Sequence, residues 1–409
     1  MHNDAEDLGF RGEEVTEDCE PTIYFHNIFQ ECLFVLTATM AVGQTSFFTG
    51  LVTVITASIG HELDMSSTEI TWISAGMALT SGAFLLPCGK IADVFGRKRI
   101  FTTALAGFSA ALLVSGFAKS PVFMDIFSGI LGLFAAVAVP PAVGTLGTIY
   151  EKPSKRKNRA FACFSAGNPL GFVGGMLISG IAAEVANWRV SFWTLSVLYA
   201  AFTVLAIWTM PGDPILVHLS LGNFWKRCDP LGMLLSVTGI AFLSASLSSL
   251  AGDAPRGWRE PYVLSLLILG IALISIFLWW QSIYSIPLMP LHVWKNRTFS
   301  LASTPSALTA CGLVATLSLG YTGFAASQFW MALYMQRVQK LSSLEITVRL
   351  LPLAINGLFV NVICGLILHK VSSKLLMIIA SLAYTTSFLI MSFTDDNSSY
   401  WGFYFPPWF

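Results

Sequence analysis

Long apolar stretches recur along most of the chain and are separated by short polar segments. A helix rises 1.5 Å per residue, so about 20 apolar residues are needed to cross the hydrocarbon core of a bilayer. About eleven stretches approach or exceed that length, and each is predicted to form a membrane-spanning helix. They are residues 32–59, 70–91, 100–118, 122–150, 160–185, 190–210, 231–250, 262–284, a part of 299–335, 350–368 and 375–393. The pattern therefore predicts an all-α polytopic membrane protein.

The composition agrees with this reading. Only 11% of the 409 residues are charged, whereas a soluble domain has about 25%. The formal net charge is zero, which gives no case for a nucleic-acid partner. No HExxH, GxSxG, P-loop or Rossmann pattern occurs, and none of the seven cysteines has CxxC spacing. We therefore predict no enzyme activity, no metal site and no cofactor; the lipid bilayer is the expected environment.

Cationic residues are concentrated in every second loop between the predicted spans. The basic loops carry Lys90, Arg97, Lys98 and Arg99; Lys152, Lys155, Arg156, Lys157 and Arg159; Lys226 and Arg227; Lys295 and Arg297; and Lys370 and Lys374. Cytoplasmic loops are enriched in Lys and Arg, so these loops and the N-terminus are predicted to be cytoplasmic. Residues 1–28 are acidic and are expected to form a solvated cytoplasmic tail.

The loop between the second and third spans has a distinctive pattern. It contains Gly89, Asp93, Gly96, Arg97 and Lys98 in the spacing G-x-x-a-D-x-x-G-R-K. This resembles the loop signature of the major facilitator superfamily. Gly89 would allow close helix approach, and Gly96 would permit a turn with positive φ. The resemblance implies that Asp93 and Arg97 pair and act as a gating latch between two helical halves.

A second pattern lies in the fifth span, where Gly167, Pro169, Gly171, Gly174 and Gly175 are closely spaced. It resembles the glycine- and proline-rich motif of antiporters in this superfamily. Pro169 removes a backbone hydrogen bond, and small residues allow a neighbouring helix to pack closely. A generic helix-packing stripe remains the alternative interpretation.

Two further groups of residues, after the fifth and eighth predicted spans, resemble the fourteen-span drug:proton antiporter branch; they are Trp188-Arg189 with Phe192 and Trp193, and Pro290-Leu291 with Asn296-Arg297-Thr298-Phe299. The implied organisation is a tail at 1–28, a six-helix bundle at 29–212, a cytoplasmic linker with two extra spans at 213–298, and a partial C-terminal bundle at 299–409. A fourteen-span member has three further spans after the eleventh. We therefore expect the second half to be incomplete and the sequence to be truncated.

The sequence departs from the family where proton coupling is expected. No acid precedes Gln44 and Thr45 in the first span, and Ser128 and Leu131 stand where the fourth span of relatives has an arginine and a glutamine. Asp125 is the best-placed acid within a span and could serve in proton coupling, but an interfacial residue is the favoured interpretation. Intramembrane charges are costly and usually functional. The candidate pathway residues are Gln44, Thr45, Asp125, Asn168, Gln328 and Asn356.

The resulting expectation is a secondary transporter that exports small organic solutes by alternating access, with proton coupling left open. Two alternatives remain: a carrier of a small cation such as ammonium, and a degenerate membrane protein that does not transport. The plasma membrane is the expected location, with a vacuolar-type membrane as the second choice.

Overall fold

The computed structural model describes residues 25, 27–150, 155–212, 229–252, 260–284, 287–288, 330–336, 338–367 and 373–392. Within these residues the principal elements are all α-helices. They are α1 (Ile28–Val42), α2 (Gln44–Glu62), α3 (Ser67–Phe95), α4 (Arg97–Ser115), α5 (Pro121–Ile149), α6 (Lys155–Val185), α7 (Trp188–Thr209), α8 (Pro230–Gly252), α9 (Pro261–Ile283), α10 (Ser343–Ile367) and α11 (Ser373–Ser392). A short helical turn also occupies residues 330–336.

Seven helices in the described part are long and apolar enough to cross a bilayer, and the bent pair α1 and α2 raises the number to eight. The predicted all-α polytopic architecture is thereby confirmed. The remaining predicted spans comprise α4, whose first turn carries Arg97, Lys98 and Arg99; α11; and a ninth span that lies largely outside the described residues.

The first predicted span is a broken helix, whereas the apolar pattern alone suggested one continuous span. Helices α1 and α2 meet at Gly43 with a bend of 52°. Gly43 lies against α6, where an added Cβ atom would be 2.8 Å from the Gly167 carbonyl oxygen. The Tyr199 hydroxyl also donates a 3.0 Å hydrogen bond to the Met40 carbonyl just before the break. Tertiary contacts therefore accompany the bend, which lies where the small and polar residues 43–46 interrupt the apolar stretch.

Local polar residues mark the helix starts on the side of the membrane opposite the basic loops. Ser66 and Glu69 form a capping box at the start of α3, with hydrogen bonds of 2.8 and 3.3 Å. Asn187 accepts a 3.2 Å hydrogen bond from the Val190 amide at the start of α7. Ser120 precedes Pro121, which occupies the first turn of α5, where a missing N–H costs nothing.

Helices α1 to α7 pack together around a buried aromatic centre on α7. The Tyr199 ring is fully buried and lies edge-on to Phe108 of α4, with ring centroids 4.8 Å apart. Phe47 of α2 makes a similar edge contact at 5.8 Å. In this bundle α3 packs on α5, α4 on α7, and α2 on α6. The division of the chain at residue 212 remains a prediction, because residues 213–228 lie outside the described part.

Helices α8 and α9 form an antiparallel hairpin that packs beside α3. Gly239 and Gly270 bring the two backbones together, since an added Cβ at Gly270 would lie 2.8 Å from the Leu243 amide nitrogen. At the base of the hairpin the buried Asp229 carboxylate accepts hydrogen bonds from Trp280 Nε1 at 2.8 Å and Gln281 Nε2 at 2.7 Å. Asp229 also accepts a 3.0 Å bond from the Gly232 amide at the start of α8.

Candidate transport pathway and gating loop

The basic turn between α3 and α4 is built around Gly96. Its φ of 101° lies in a region that residues with a side chain rarely adopt, so the turn requires glycine. This geometry places Asp93, in the last turn of α3, beside Arg97, the first residue of α4. Arg97 Nη2 and Nε lie 2.9 and 3.0 Å from Asp93 Oδ1. The paired geometry is present, and its role in gating remains a prediction.

Two cations of this turn, Arg97 and Lys98, also bind the ends of neighbouring helices. Arg97 Nη1 donates to the Gly144 carbonyl and to the Thr148 hydroxyl near the end of α5, each at 2.7 Å. Lys98 Nζ donates a 2.7 Å hydrogen bond to the carbonyl of Met210, which follows the last residue of α7. Cations near a helix C-terminus are favoured by the exposed carbonyl groups there. The turn therefore joins α3, α4, α5 and α7.

Gly89 occupies a less restrictive position than the other glycine of the loop. An added Cβ would lie 3.5 Å from Pro140 Cβ on α5, which is ordinary van der Waals contact. The role assigned to Gly89 in close helix approach therefore stays a prediction.

The glycine-rich face of α6 packs directly on the backbone of the broken span. An added Cβ at Gly171 would lie 2.7 Å from the Gly43 carbonyl oxygen, and one at Gly174 would lie 2.5 Å from the Phe47 ring. At Gly167 and Gly175 the added atom would collide with the Thr39 and Phe47 carbonyl oxygens respectively. These glycines allow α6 to approach the α1–α2 break more closely than any larger residue would. Pro169 lies inside the continuous helix α6.

Polar pathway candidates from both halves lie at the level of this break. Ser46 of α2 donates a 3.0 Å hydrogen bond to Asn168 Oδ1 of α6, and Asn168 is exposed. Next to Asn168, Pro169 faces α10, where an added Cβ at Gly357 would be 3.4 Å from Pro169 Cβ. Asn356, half-buried, precedes Gly357 on α10. We call the junction of α2, α6 and α10 beside Ser46 and Asn168 the polar seam; its role as a transport pathway stays a prediction.

The remaining candidates have different surroundings. Gln44 is fully buried, and its side-chain amide has no hydrogen-bond partner among the described residues. Thr45 is half-buried. Asp125 lies in the second turn of α5, and its buried Oδ1 likewise lacks a partner in the described part of the chain. Gln328 lies outside the described residues.

Sequence reasoning missed a buried ionic cluster near the basic side of the membrane. Glu31 of α1, only 7% exposed, pairs with Arg156 of α6, whose Nε lies 2.8 Å from Glu31 Oε1. The Tyr150 hydroxyl donates to the same carboxylate oxygen. Burial raises the pKa of Tyr150 and the hydrogen bond to Glu31 raises it further, so the hydroxyl stays protonated. Glu31, an acid in the first turn of α1, is the sequence feature that could have indicated this cluster.

A second polar cluster links helix ends on the opposite side of the same bundle. Trp188 Nε1 donates a 2.6 Å hydrogen bond to Glu62 Oε2 at the end of α2, and Arg189 pairs with the other oxygen of that carboxylate. Arg189 also donates to the Ala118 carbonyl at 3.1 Å. The two clusters hold α1 and α2 at both ends, which leaves their central break as the polar seam.

Membrane-length helices surrounding a polar seam at a broken span define the class as a secondary transporter. Residues 33–223, slightly under half of the chain, match the model of the Major Facilitator Superfamily. The resemblance read from the loop signature is thereby confirmed.

Three comparisons illustrate the relationship. The chain is 28% identical over 373 residues to the efflux pump terJ of Aspergillus terreus, covering 91% of this chain and 68% of that protein. It is 25% identical over 337 residues to the low affinity ammonium transporter of Saccharomyces cerevisiae, covering 82% of this chain and 62% of that protein. The crystal structure of the peptide transporter POT in complex with sulfate superposes with a TM-score of 0.60 at 16% identity, covering 92% of this chain and 78% of POT. At that identity the last comparison supports the fold alone.

Proposed function

We propose that this protein exports small amphipathic organic solutes by alternating access of the seam between its two halves. The observation that carries the proposal is the Ser46–Asn168 hydrogen bond beside the α1–α2 break, close to α10 of the second half. Polar groups at a broken span near the bilayer midplane are typical of solute sites in secondary transporters. Export as the direction rests on the relatives described as efflux pumps.

The test of this function is export from cells that express the whole chain. Cells loaded with a panel of fluorescent amphipathic compounds should lose at least one compound faster than cells carrying an empty vector. If no compound leaves faster although the protein reaches the membrane, the export proposal is wrong.

Changing Asn168 to Ala should lower the initial export rate about tenfold without lowering the amount of protein in the membrane. The substitution removes the amide that bonds Ser46 and faces the seam, and the loss of about 1.4 kcal/mol of solute binding corresponds to a tenfold change. The control is Ser275→Ala, which removes an exposed hydroxyl of α9 that bonds only its own helix. If the Asn168→Ala and Ser275→Ala proteins export solute at equal rates, Asn168 does not line the pathway.

Proton coupling, if present, requires a group that gains and loses a proton during the cycle. Asp125 is the candidate, because its buried Oδ1 lacks a hydrogen-bond partner in the described part of α5 and its surroundings. Carboxylic acids within spans commonly form proton relays. We propose Asp125 as the coupling group, although it lies towards one end of its helix.

Changing Asp125 to Asn should abolish export driven by a pH gradient while leaving exchange of labelled for unlabelled solute intact. Asparagine keeps the shape of the side chain but cannot carry the proton. The measurement uses inverted membrane vesicles, with and without an imposed pH gradient. Undiminished gradient-driven transport by the variant would show that coupling lies elsewhere, and gradient-independent flux in the parent would indicate facilitated diffusion.

The gating role of the basic turn is part of the same proposal. Gly96, Asp93, Arg97 and Lys98 join four helices of the first bundle. We propose that this turn moves with the bundle as one body, and that Asp93, which keeps 57% of its side chain exposed, contacts the second half when the basic side closes.

The chain is an integral membrane protein, and we infer its membrane and its orientation as part of the proposed function. We propose the plasma membrane as the location, with the N-terminus and the basic loops in the cytoplasm. The ammonium carrier of Saccharomyces cerevisiae makes transport of a small cation the second candidate. Uptake of labelled methylammonium by intact cells separates that function from export of organic solutes.

A further inference from the structure

One side chain of the second half makes an unusual contact with the broken span. The Gln336 side chain lies against α2, where its Oε1 accepts a 3.0 Å hydrogen bond from the Ala57 amide. Its Nε2 donates to the carbonyls of Thr53 at 3.0 Å and Val54 at 2.7 Å. In an uninterrupted α-helix the Ala57 amide donates to the Thr53 carbonyl. The Gln336 amide engages both members of that pair from outside the helix.

The chain around Gln336 is fixed by its own turn. The Leu341 amide donates to the Met335 carbonyl at 3.1 Å, and Lys340 adopts a positive φ of 51°. Ser342 and Glu345 then form the reciprocal hydrogen bonds of a capping box at the start of α10, at 3.1 and 3.3 Å. The Gln336 amide is therefore presented to α2 by a folded turn.

Apolar and polar contacts seat the same turn on the first half. Met335 and Ile346, on either side of it, are buried in the common core. The Thr347 hydroxyl donates a 3.2 Å hydrogen bond to the Met176 carbonyl of α6, beside Gly180. Two helices of the first half, α2 and α6, thus receive the beginning of α10 and the turn before it.

These contacts lie on the side of the membrane opposite the basic turn. Helix α2 runs from the break at Gly43 to Glu62, and Thr53–Ala57 contacts fall in the half nearer Glu62. A cavity of about 610 Å³ opens at the same place, with Ser58, Asn187 and Gln336 among its lining residues. The cavity leads from that side of the membrane to the Gln336 contacts.

We propose that Gln336 is a gating residue that holds the solute pathway closed on the side opposite the basic loops. Alternating access requires the two halves to separate on one side while they meet on the other, so these three hydrogen bonds break when this side opens. Removal of Gln336 shifts the equilibrium towards the state open on this side. The inference rests on the proposed transport function, but its test measures access to the pathway and requires no solute.

Ser46 offers a position from which access can be measured. It lies 7 residues before Thr53 and 11 before Ala57 on α2, so the helical period places it on the same face, about 10–16 Å deeper along the pathway. A cysteine at Ser46 should therefore be shielded from the side opposite the basic loops while Gln336 is bound to α2.

The experiment labels a Ser46→Cys protein with a membrane-impermeant maleimide, both in intact cells and in inverted vesicles. The labelling of the parent protein, which lacks this cysteine, is measured in the same way and subtracted. Adding Gln336→Met should raise the labelling rate from the side opposite the basic loops about tenfold or more, because it removes three interhelical hydrogen bonds that favour the closed state. Labelling from the basic side should fall. Methionine keeps the length of the side chain and suits an apolar environment. Gln336→Ala should change both labelling rates in the same directions. Either variant that reaches the membrane therefore tests the proposal.

The matched control is Gln339→Ala, three residues further along. Gln339 bonds Arg349 of its own half at 3.0 Å, so its loss should leave both labelling rates unchanged. Unchanged rates in the Gln336 variants would overturn the proposal, and so would faster labelling from both sides, which indicates general loosening. If the labelling rates shift as predicted but the protein exports no solute, the proposed transport function is wrong and the gating role of Gln336 stands.

Discussion

Replacing Gly175 by alanine should separate α6 from α2 and lower the thermal midpoint of the protein in detergent by about 5–10 °C or more. The added methyl group would collide with the Phe47 carbonyl oxygen and lie 2.8 Å from the Leu51 amide nitrogen. Both atoms belong to the backbone of α2, so no side-chain rotation can relieve the overlap. The helices must move apart, and the packing along the whole α2–α6 contact is lost with them.

The comparison for Gly175→Ala is the same substitution at two helical glycines with open surroundings. Nothing lies within 4 Å of an added Cβ at Gly82 of α3 or Gly147 of α5. Alanine at either site should leave the midpoint unchanged or raise it slightly, because glycine is the weaker helix former. Thermal denaturation followed by size-exclusion chromatography measures all three variants. A midpoint of Gly175→Ala equal to those of the controls would refute the close packing of α6 on α2.

Changing Glu31 to Gln should destabilise the first bundle by about 2 kcal/mol. Breaking a fully buried ion pair costs about 3–5 kcal/mol, and the effect is smaller here because the Arg156 side chain keeps 38% of its surface exposed. Glutamine preserves the shape and can still accept the Tyr150 hydrogen bond, so the change isolates the charge. Arg156→Gln alone should be about as harmful, and the double variant should lose less than the sum.

Glu184→Gln serves as the control for Glu31→Gln, since Glu184 lies exposed near the end of α6 and its charge is solvated. It should leave stability within about 0.5 kcal/mol of the parent. Additive losses in the Glu31 and Arg156 variants would show that the two side chains do not interact in the membrane.

Features encoded by neighbouring residues were accessible from the sequence. Asp93 and Arg97 are four residues apart across a glycine turn, so their 2.9 Å contact and the positive φ of Gly96 follow from local geometry. The apolar stretches likewise located the helices, because crossing a bilayer fixes both the length and the polarity of a span. The glycines of α6 indicated close packing in the same way.

Contacts between distant residues could not be read in this manner. The α6 glycines do not identify α2 as their partner, and the 52° bend at Gly43 lies inside one long predicted span. Glu31 and Arg156 are 125 positions apart, and Gln336 meets Thr53 across 283. Only the folded arrangement of helices brings such groups together. Gln44 is buried completely, which the sequence did not indicate, and its place on the pathway stays a prediction.

The Asp229 cluster closes the base of the α8–α9 hairpin. Because Asp229 at the entrance of the α8–α9 hairpin binds Trp280 and Gln281 at its exit, the chain leaves the hairpin where it entered. A hairpin that begins and ends at one point need not alter the route of the chain on either side of it. Such a self-contained pair can enter the membrane as one unit before later segments are synthesised.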